Sequence, residues 1–345
     1  MKTLILGKRS ILTKSLKSTI KDSVVLSSED ILKKKNYLLP NKFNFIINLF
    51  YSSKKLNKIK NYNEYFNYTI FYLSNFLQNI NKKKINKVIY TSSSSIYGEI
   101  TEDGNKRNLY ASSKLLVENY LKNLNFLKKK LIIARLYNIY ERNENFSFIN
   151  KIIEFKKNNK KILLFNQGLG IRDFIKISDV AKIYKNLLNK KYYGTIDVGT
   201  GYGIQIKNLV DAADLKYKNI NGSKEQKISI ANTQALKNIL PKLKFFNLEQ
   251  YFKKNNIKLR SKINKLRLPS EKKNQINENI TVIYGAGFAG KKLYDQIKSS
   301  NAKINIFFVD DDLKKQNKYY KNSQIISFEK HIDRLGCLVD DILEE

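Results

Sequence analysis

The sequence predicts an α/β fold built on a doubly wound parallel sheet, and three observations carry that reading. Over the first 255 residues, short continuously apolar runs alternate with longer stretches whose apolar residues recur at three- and four-residue spacing. Apolar strands separated by helices need a sheet covered on both faces, which is the parallel arrangement. A fresh strand, glycine-rich turn and helix then begin at Ile280, so the 345 residues divide into a large unit and a small one.

Thr3–Leu6, Val24–Ser27, Phe43–Leu49, Lys87–Thr91 and Leu131–Arg135 read as strands, with helices over Tyr62–Asn81 and Asn108–Leu127. Only 16 residues, Ser28–Phe43, separate the second strand from the third, which leaves room for one short crossover. Beyond residue 140 the pattern loosens into short strands (Ile162–Phe165, Asp173–Ile177, Thr195–Val198) and short helices. That suits a small substrate lobe over 141–255 beside a sheet domain over about 1–140. Residues 256–279 are polar and basic and read as a linker. The tail, 280–345, is about half of a doubly wound domain.

Composition excludes several classes. One cysteine (Cys337) and one histidine (His331) leave no disulfide framework and no metal site built from those ligands. The N-terminus passes from a short apolar strand into polar sequence, and no apolar stretch approaches a bilayer span, so a cytoplasmic protein is expected. The net charge is +35, but 57 of the 65 basic residues are Lys and only 8 are Arg. The lysine clusters (Lys33–Lys35, Lys82–Lys84, Lys128–Lys130, Lys160–Lys161) recur at element ends rather than forming one stripe. Specific phosphate and base contacts favour Arg, so this is read as compositional drift and not as a nucleic-acid surface.

The chemistry concentrates in ordered segments. Strand Lys87–Thr91 runs into Ser92-Ser93-Ser94-Ser95-Ile96-Tyr97-Gly98, a hydroxyl-rich turn at the carboxyl end of a parallel strand, where such sheets bind ligands. Tyr110-Ala-Ser-Ser-Lys114 then opens a helix. The i, i+4 spacing puts the phenol and the ammonium on one face, where the cation favours phenolate. A tuned phenol exchanges a proton with an alcohol. The pair alone carries little weight, because the chain has three Tyr-x-x-x-Lys pairs, the others being Tyr51/Lys55 and Tyr294/Lys298. Downstream come Ala134-Arg135-Leu136-Tyr137-Asn138, Arg172-Asp173-Phe174-Ile175 and Gly194-Thr195-Ile196-Asp197-Val198-Gly199-Thr200-Gly201. For Arg172-Asp173 a local ion pair is the plainer alternative.

In this order and spacing, residues 1–255 resemble the extended short-chain dehydrogenase/reductase family, specifically its NAD-dependent nucleotide-sugar epimerases and dehydratases. The resemblance implies a Rossmann-like domain with NAD or NADP as cofactor, a nucleotide-diphosphate sugar as substrate, a homodimer, and a role in surface-polysaccharide synthesis. It makes Tyr110 the acid/base, Ser93 the hydroxyl that holds the sugar oxygen, and Lys114 the residue that orients the cofactor ribose and lowers the tyrosine pKa. Asn138 falls where the family contacts substrate, and Arg172 where it grips the diphosphate, a task that suits a guanidinium fork. Gly7, Ser10 and Leu49 fall on the cofactor side together with Tyr110 and Lys114. Two alternatives stay open, a nucleotide-sugar 4-ketoreductase and a non-catalytic nucleotide-sugar-binding relative.

The cofactor side departs from the family pattern. Gly7-Lys8-Arg9-Ser10-Ile11-Leu12-Thr13 keeps only the first of three glycines, with Ser10 and Thr13 at the other two positions. The second strand ends in Ser27-Ser28 with no acid for a ribose 2′-hydroxyl, a setting that tolerates a 2′-phosphate paired with Lys8 or Arg9. Phe50-Tyr51 replaces small residues beside the cofactor. The tail, in contrast, carries a full Gly285-Ala-Gly287-Phe-Ala-Gly290, and Asp310 follows its next strand (Ile304–Val309) at the spacing of a ribose-binding acid. This truncated βαβ unit resembles the first Rossmann-like domain of polysaccharide-biosynthesis dehydratases, which implies a second nucleotide site at Gly285, Gly287, Gly290 and Asp310. No metal site is expected.

Overall fold

The computed structural model describes residues 1–28, 30, 42–49, 67–97, 109–142, 144, 146–220, 228–267, 280–284, 286–300, 305–310, 312–321 and 323–326. Phe50-Tyr51, Gly98, Gly285, His331 and Cys337 lie outside the described residues, as does the short crossover expected after Ser28. The chain divides into two compact units, Met1–Leu268 and Pro269–Glu345.

The first unit is built on strands β1 (Lys2–Leu6), β2 (Ser23–Leu26), β3 (Phe43–Ile47), β4 (Ile85–Ser93), β5 (Leu131–Leu136) and β9 (Gly194–Val198). They form one sheet in the order β2-β1-β3-β4-β5-β9, and every neighbouring pair is parallel. The chain leaves β1 for β2 on one side and returns to β3 on the other, so the order reverses between β1 and β3. Such a switch point opens a crevice at the carboxyl ends of the strands.

Alternation along the strands decides which residue faces which helix. Ile5, Ile46, Ile89, Ile132 and Ile196 point to one side, against α1 (Ile11–Thr19) and the later helix Ile177–Leu188. Leu4, Leu6, Phe45, Val88 and Ile133 point to the other, against α2 (Tyr72–Gln78) and α3 (Leu109–Lys122). The helix expected over Tyr62–Asn81 is shorter and irregular among the described residues, a π-turn at Asn67–Phe71 leading into α2.

The lobe contains β6 (Asn138–Tyr140), α4 (Phe148–Lys157), β7 (Ile162–Phe165), β8 (Ile171–Lys176), α5 (Ile177–Leu188), β10 (Gly203–Gln205), α6 (Ile206–Ala212), β11 (Tyr217–Ile220), β12 (Ile228–Ser229), α7 (Gln234–Ile239) and α8 (Leu248–Lys254). Of these, α5 belongs to the sheet's own core, whereas a separate core gathers Ile149, Ile152, Leu164, Leu209, Val210 and Phe252. Residues 256–267, read above as linker, belong to this unit. Ile257 and Ile263 are buried in the lobe core, and Leu266 forms an antiparallel bridge with Gly203. Two apolar anchors in twelve residues are too sparse to register as periodicity, yet enough to fasten the segment.

The second unit is more than a βαβ hairpin of structure. β13 (Ile280–Tyr284), α9 (Phe288–Ser300) and β14 (Asn305–Val309) form the parallel crossover. A hairpin, β15 (Tyr319–Tyr320) with β16 (Ser323–Ile326), then extends the sheet to four strands. Tyr294, Phe308 and Tyr320 pack their rings together as its core.

Gly7 is where the first crossover depends on having no side chain. Its φ is +110°, and an added Cβ would meet the Asn48 carbonyl oxygen at 2.3 Å. Gly7→Ala is therefore expected to lower stability by about 1–3 kcal/mol, read as a shift in the denaturation midpoint. An unchanged midpoint would mean that the β1–β3 contact is not tight.

Candidate active site

Ser93 is the last residue of β4, and Tyr110 and Lys114 stand one turn apart at the start of α3. The structure brings the three together. Ser93 is hydrogen-bonded to the Tyr110 hydroxyl. The Ser93 oxygen accepts from the backbone N–H of Ser95 at 3.2 Å and from its hydroxyl at 2.9 Å. The Lys114 ammonium donates to the Thr91 carbonyl at 2.7 Å and lies 5.7 Å from the centre of the Tyr110 ring. Burial lowers the Lys114 ammonium to about 7, against the pull of Glu118. Burial also raises the Tyr110 phenol to about 12, against the Ser93 hydrogen bond. Near neutral pH the phenol keeps its proton, and the lysine is poised to gain or lose one.

One turn further along α3, Glu118 is fully buried. Its carboxylate accepts from the Ser92 hydroxyl at 2.5 Å and from Arg135 through two bonds of 3.1 and 2.8 Å. Burial pushes the Glu118 carboxyl up, but the Arg135 and Ser92 hydrogen bonds and the nearby cations outweigh it and hold the group below its ordinary value. The Arg135 guanidinium also lies 4.6 Å from the Tyr97 ring centre. Tyr97 and Tyr137 both donate to Asp197, at 2.7 and 3.0 Å. The sequence reading passed over Glu118, Arg135 and Asp197. A carboxylate eight residues after the tyrosine on the same helix was the available signal.

On the cofactor side, Ser10 caps α1, its hydroxyl accepting from Leu12 N–H at 3.2 Å. Thr13, at a position where the family has glycine, is buried. It donates to the Gly7 carbonyl at 2.5 Å and accepts from Asn48 Nδ2 at 2.8 Å. Its side chain thus packs beneath the turn between helix and strand. Asn48 Oδ1 is buried without a hydrogen-bond partner among the described residues. Leu49 is half-buried at the end of β3. β2 ends in Ser27-Ser28 as read, and the next acid, Asp30, is turned back onto Ser27. Asp30 reaches back to accept from the Ser27 N–H at 2.9 Å and its hydroxyl at 2.8 Å. The Asp30 N–H donates in turn to the Ser27 hydroxyl at 3.1 Å, so the pair caps a helical turn that starts after β2.

On the substrate side, Asn138 donates to the Asp173 carbonyl at 3.0 Å, and Arg172 donates to its neighbour Ile171's carbonyl at 2.9 Å. The Asp173 carboxylate, fully buried, accepts from the backbone of Thr200, Gly201 and Ala231 and from the Thr200 hydroxyl. It therefore staples two loops to β8 and does not serve as an ion partner for Arg172. Burial raises its pKa against those hydrogen bonds. In the second unit Asp310 is likewise turned inward. It accepts from Ala286 N–H at 2.6 Å and Asp312 N–H at 2.9 Å, with the Lys315 ammonium at 3.2 Å. The backbone donors hold its carboxyl below the usual range. At Gly287 an added Cβ would meet nothing, so the outer face of that turn is open. Gly290 lies in the first turn of α9. No cluster of metal-ligating side chains occurs among the described residues.

A parallel sheet with this strand order makes a Rossmann-like α/β domain, with the Ser–Tyr–Lys group at its carboxyl edge as the candidate site. The family model described as "NAD dependent epimerase/dehydratase family" matches residues 17–199, and the chain belongs to that family. The match includes Ser93, Tyr110, Lys114, Asn138 and Arg172 and begins after the Gly7–Thr13 turn. Human dTDP-D-glucose 4,6-dehydratase is 28% identical over 152 residues, 41% of this chain and 43% of that protein. A putative UDP-glucose 4-epimerase of Methanocaldococcus jannaschii is 29% identical over 150 residues, 40% of this chain and 49% of that protein. The alignments thus span less than half of each relative. Among solved structures, Thermus thermophilus UDP-glucose 4-epimerase in complex with NAD superposes with a TM-score of 0.61 at 16% identity, covering 72% of this chain and 96% of that one. RMD from Pseudomonas aeruginosa complexed with NADPH gives 0.58 at 18% identity, covering 72% and 96%. At these identities the likeness is one of fold.

Two outcomes follow from the buried charges. Arg135→Met is expected to cost about 3–5 kcal/mol, because it strands Glu118, and the double variant Glu118→Gln/Arg135→Met is expected to cost less. Additive losses in chemical denaturation would contradict the coupling. Lys114's native value near 7 lies below its ordinary 10.5, so across that window the unfolded chain holds a proton that the native chain lacks. The stability of the wild type relative to Lys114→Met should therefore rise between about pH 7 and 10. A pH-independent difference would mean that the ammonium is well solvated.

Proposed function

We propose that this chain is an NAD(P)-dependent nucleotide-sugar epimerase or dehydratase acting in surface-polysaccharide synthesis. The observation that carries the reading is the Ser93–Tyr110–Lys114 group at the carboxyl edge of the sheet, next to the strand-order switch. A dinucleotide fits the residues present, since Gly7 keeps the positive φ of a close-approach turn, Ser10 caps the helix that follows, and Thr13 is tucked under the turn. Gly7, Ser10, Leu49, Tyr110 and Lys114 would hold it. When bound, the cofactor supplies hydride acceptance and return at a sugar carbon.

The chain's own residues handle the proton. Ser93 Oγ holds the oxygen of a sugar hydroxyl; Tyr110, once its own phenolic proton has been released to solvent, takes that hydroxyl's proton at Oη as phenolate and gives it back on the return step. Lys114, charged at the lower end of its range, favours the phenolate form, and its bond to the Thr91 carbonyl fixes it beside the ring. Asn138 and Arg172 would hold the sugar and the diphosphate. Exposed Leu109 and Leu116 on α3 and Phe71 just before α2 support a homodimer through that helix pair.

Native mass spectrometry of the purified chain is expected to show a bound dinucleotide. With UDP-glucose or dTDP-glucose, Tyr110→Phe is expected to reduce turnover by about 10²–10⁴-fold while retaining that dinucleotide. Undiminished turnover would remove Tyr110 from the chemistry. Failure of NAD and NADP to bind at millimolar concentration would leave the non-catalytic nucleotide-sugar-binding relative as the better reading.

A further inference from the structure

The two helix layers that cover the main sheet carry different surfaces. Leu12 and Leu16 of α1, Val180 and Ile183 of α5, and Leu236 of α7 are buried in one core, so these three helices lie over the same face of the sheet. Their outward sides are lysine. Lys14 and Lys17 are exposed on α1, with Lys21 just past its end. Lys182 and Lys185 are exposed one turn apart on α5, and Lys237 is exposed on α7. Lys242 and Lys244, both exposed, flank Leu243, whose side chain packs on the same core. Over segments 11–22, 177–188 and 234–244, Asp22 is the one exposed acid among the described residues. Apart from Lys182, 3.3 Å from the buried Asp179 carboxylate, none of these lysines has an ion-pair partner among the described residues. The other layer differs. α2 contains no lysine, and on α3 Lys114 is buried, while the exposed Lys122 pairs with Glu118 and stands on the same helix as exposed Leu109 and Leu116. Compositional drift alone would load both layers alike.

We propose that the face formed by α1, α5 and α7 docks this chain electrostatically on an anionic lipid bilayer. The charges are complementary, and ammonium groups on flexible four-carbon stems can meet a plane of headgroups without a fixed partner geometry. Each lysine near such a surface favours the bound state by about fivefold. The three helices contain no arginine and expose no aromatic ring, so they lack the planar fork and the stacking platform by which single-stranded nucleic acid is held. They also expose no large apolar side chain, so the contact is with headgroups and not an insertion among acyl chains. Ser93 lies at the carboxyl edge of the sheet, and Tyr110 and Lys114 lie on α3 in the opposite layer, so docking leaves the crevice open. The inference goes beyond the nucleotide-sugar reading and does not depend on it.

The test is vesicle sedimentation with the full-length chain. At about 0.1 M salt it is expected to sediment with vesicles of about 40% phosphatidylglycerol in phosphatidylcholine, not with phosphatidylcholine alone, and to be released at about 0.5 M salt. The variant Lys17→Gln/Lys185→Gln/Lys237→Gln/Lys242→Gln is expected to lose about 10²-fold or more in partitioning. All four side chains are exposed, so an unchanged melting temperature is expected and separates binding from folding. A control with the same net charge, Lys151→Gln/Lys157→Gln/Lys160→Gln/Lys253→Gln on the lobe, is expected to lose about tenfold at most. Failure of the wild type to sediment with the phosphatidylglycerol vesicles overturns the proposal. Equal losses in the two variants overturn it too, as attraction by net charge and not by this face. Tighter binding of polyuridylate than of vesicles at the same salt, abolished by the first variant, would make the face a nucleic-acid surface and overturn the bilayer proposal.

Discussion

The buried carboxylate of Glu118 is the contact on which the site's geometry depends. A desolvated charge is tolerated only when its partners are fixed, and these come from two adjacent strands, Ser92 of β4 and Arg135 of β5. Those bonds set the height and rotation of α3 over the sheet. Lys114 and Tyr110 lie one and two turns back along that helix, so their approach to Ser93 follows from the same constraint. Arg135 carries the brace outward through Tyr97 to Asp197, which also receives Tyr137 and the Asn232 N–H. The serine turn after β4, helix α3 and the Asp197 end of β9 thus share one frame of polar contacts.

Acids are scarce in this chain, 30 against 65 basic residues, and several stand in its interior. Asp173 gathers the loops at Thr200–Gly201 and Ala231. Asp179, at the start of α5, takes the Phe246 N–H at 2.6 Å, and Asp310 ties the glycine turn of the second unit to its neighbouring strand. A carboxylate holds backbone N–H groups where no strand can, so these residues act as staples between irregular segments. The large positive charge therefore reflects the surface lysines, while the architecture relies on the few anions left.

How much was legible in the sequence follows from the range of each interaction. The five strands appear with ends shifted by at most two residues, because apolar alternation is local, whereas α3 stops at Lys122, five residues before the expected Leu127, where a separate 3-10 turn begins. Ser93, Tyr110 and Lys114 are legible as candidates because each stands in a short local segment, a strand end or a helix start, and the fold brings these segments together. The Thr13 substitution looked damaging because a missing glycine is visible in sequence, whereas the Gly7 and Asn48 partners that accommodate it are not.

The position of β9 bears on how the molecule is made. It is the outermost strand beside β5, yet β6, β7 and β8 intervene in the chain before it. On a ribosome, β1 to β5 can pair as they emerge, but that side of β5 stays uncovered until residue 198 has been synthesised. Closing so long a loop is slow compared with helix formation. For that interval the nascent chain presents an apolar strand edge at Leu131–Leu136, which calls for chaperone cover during translation.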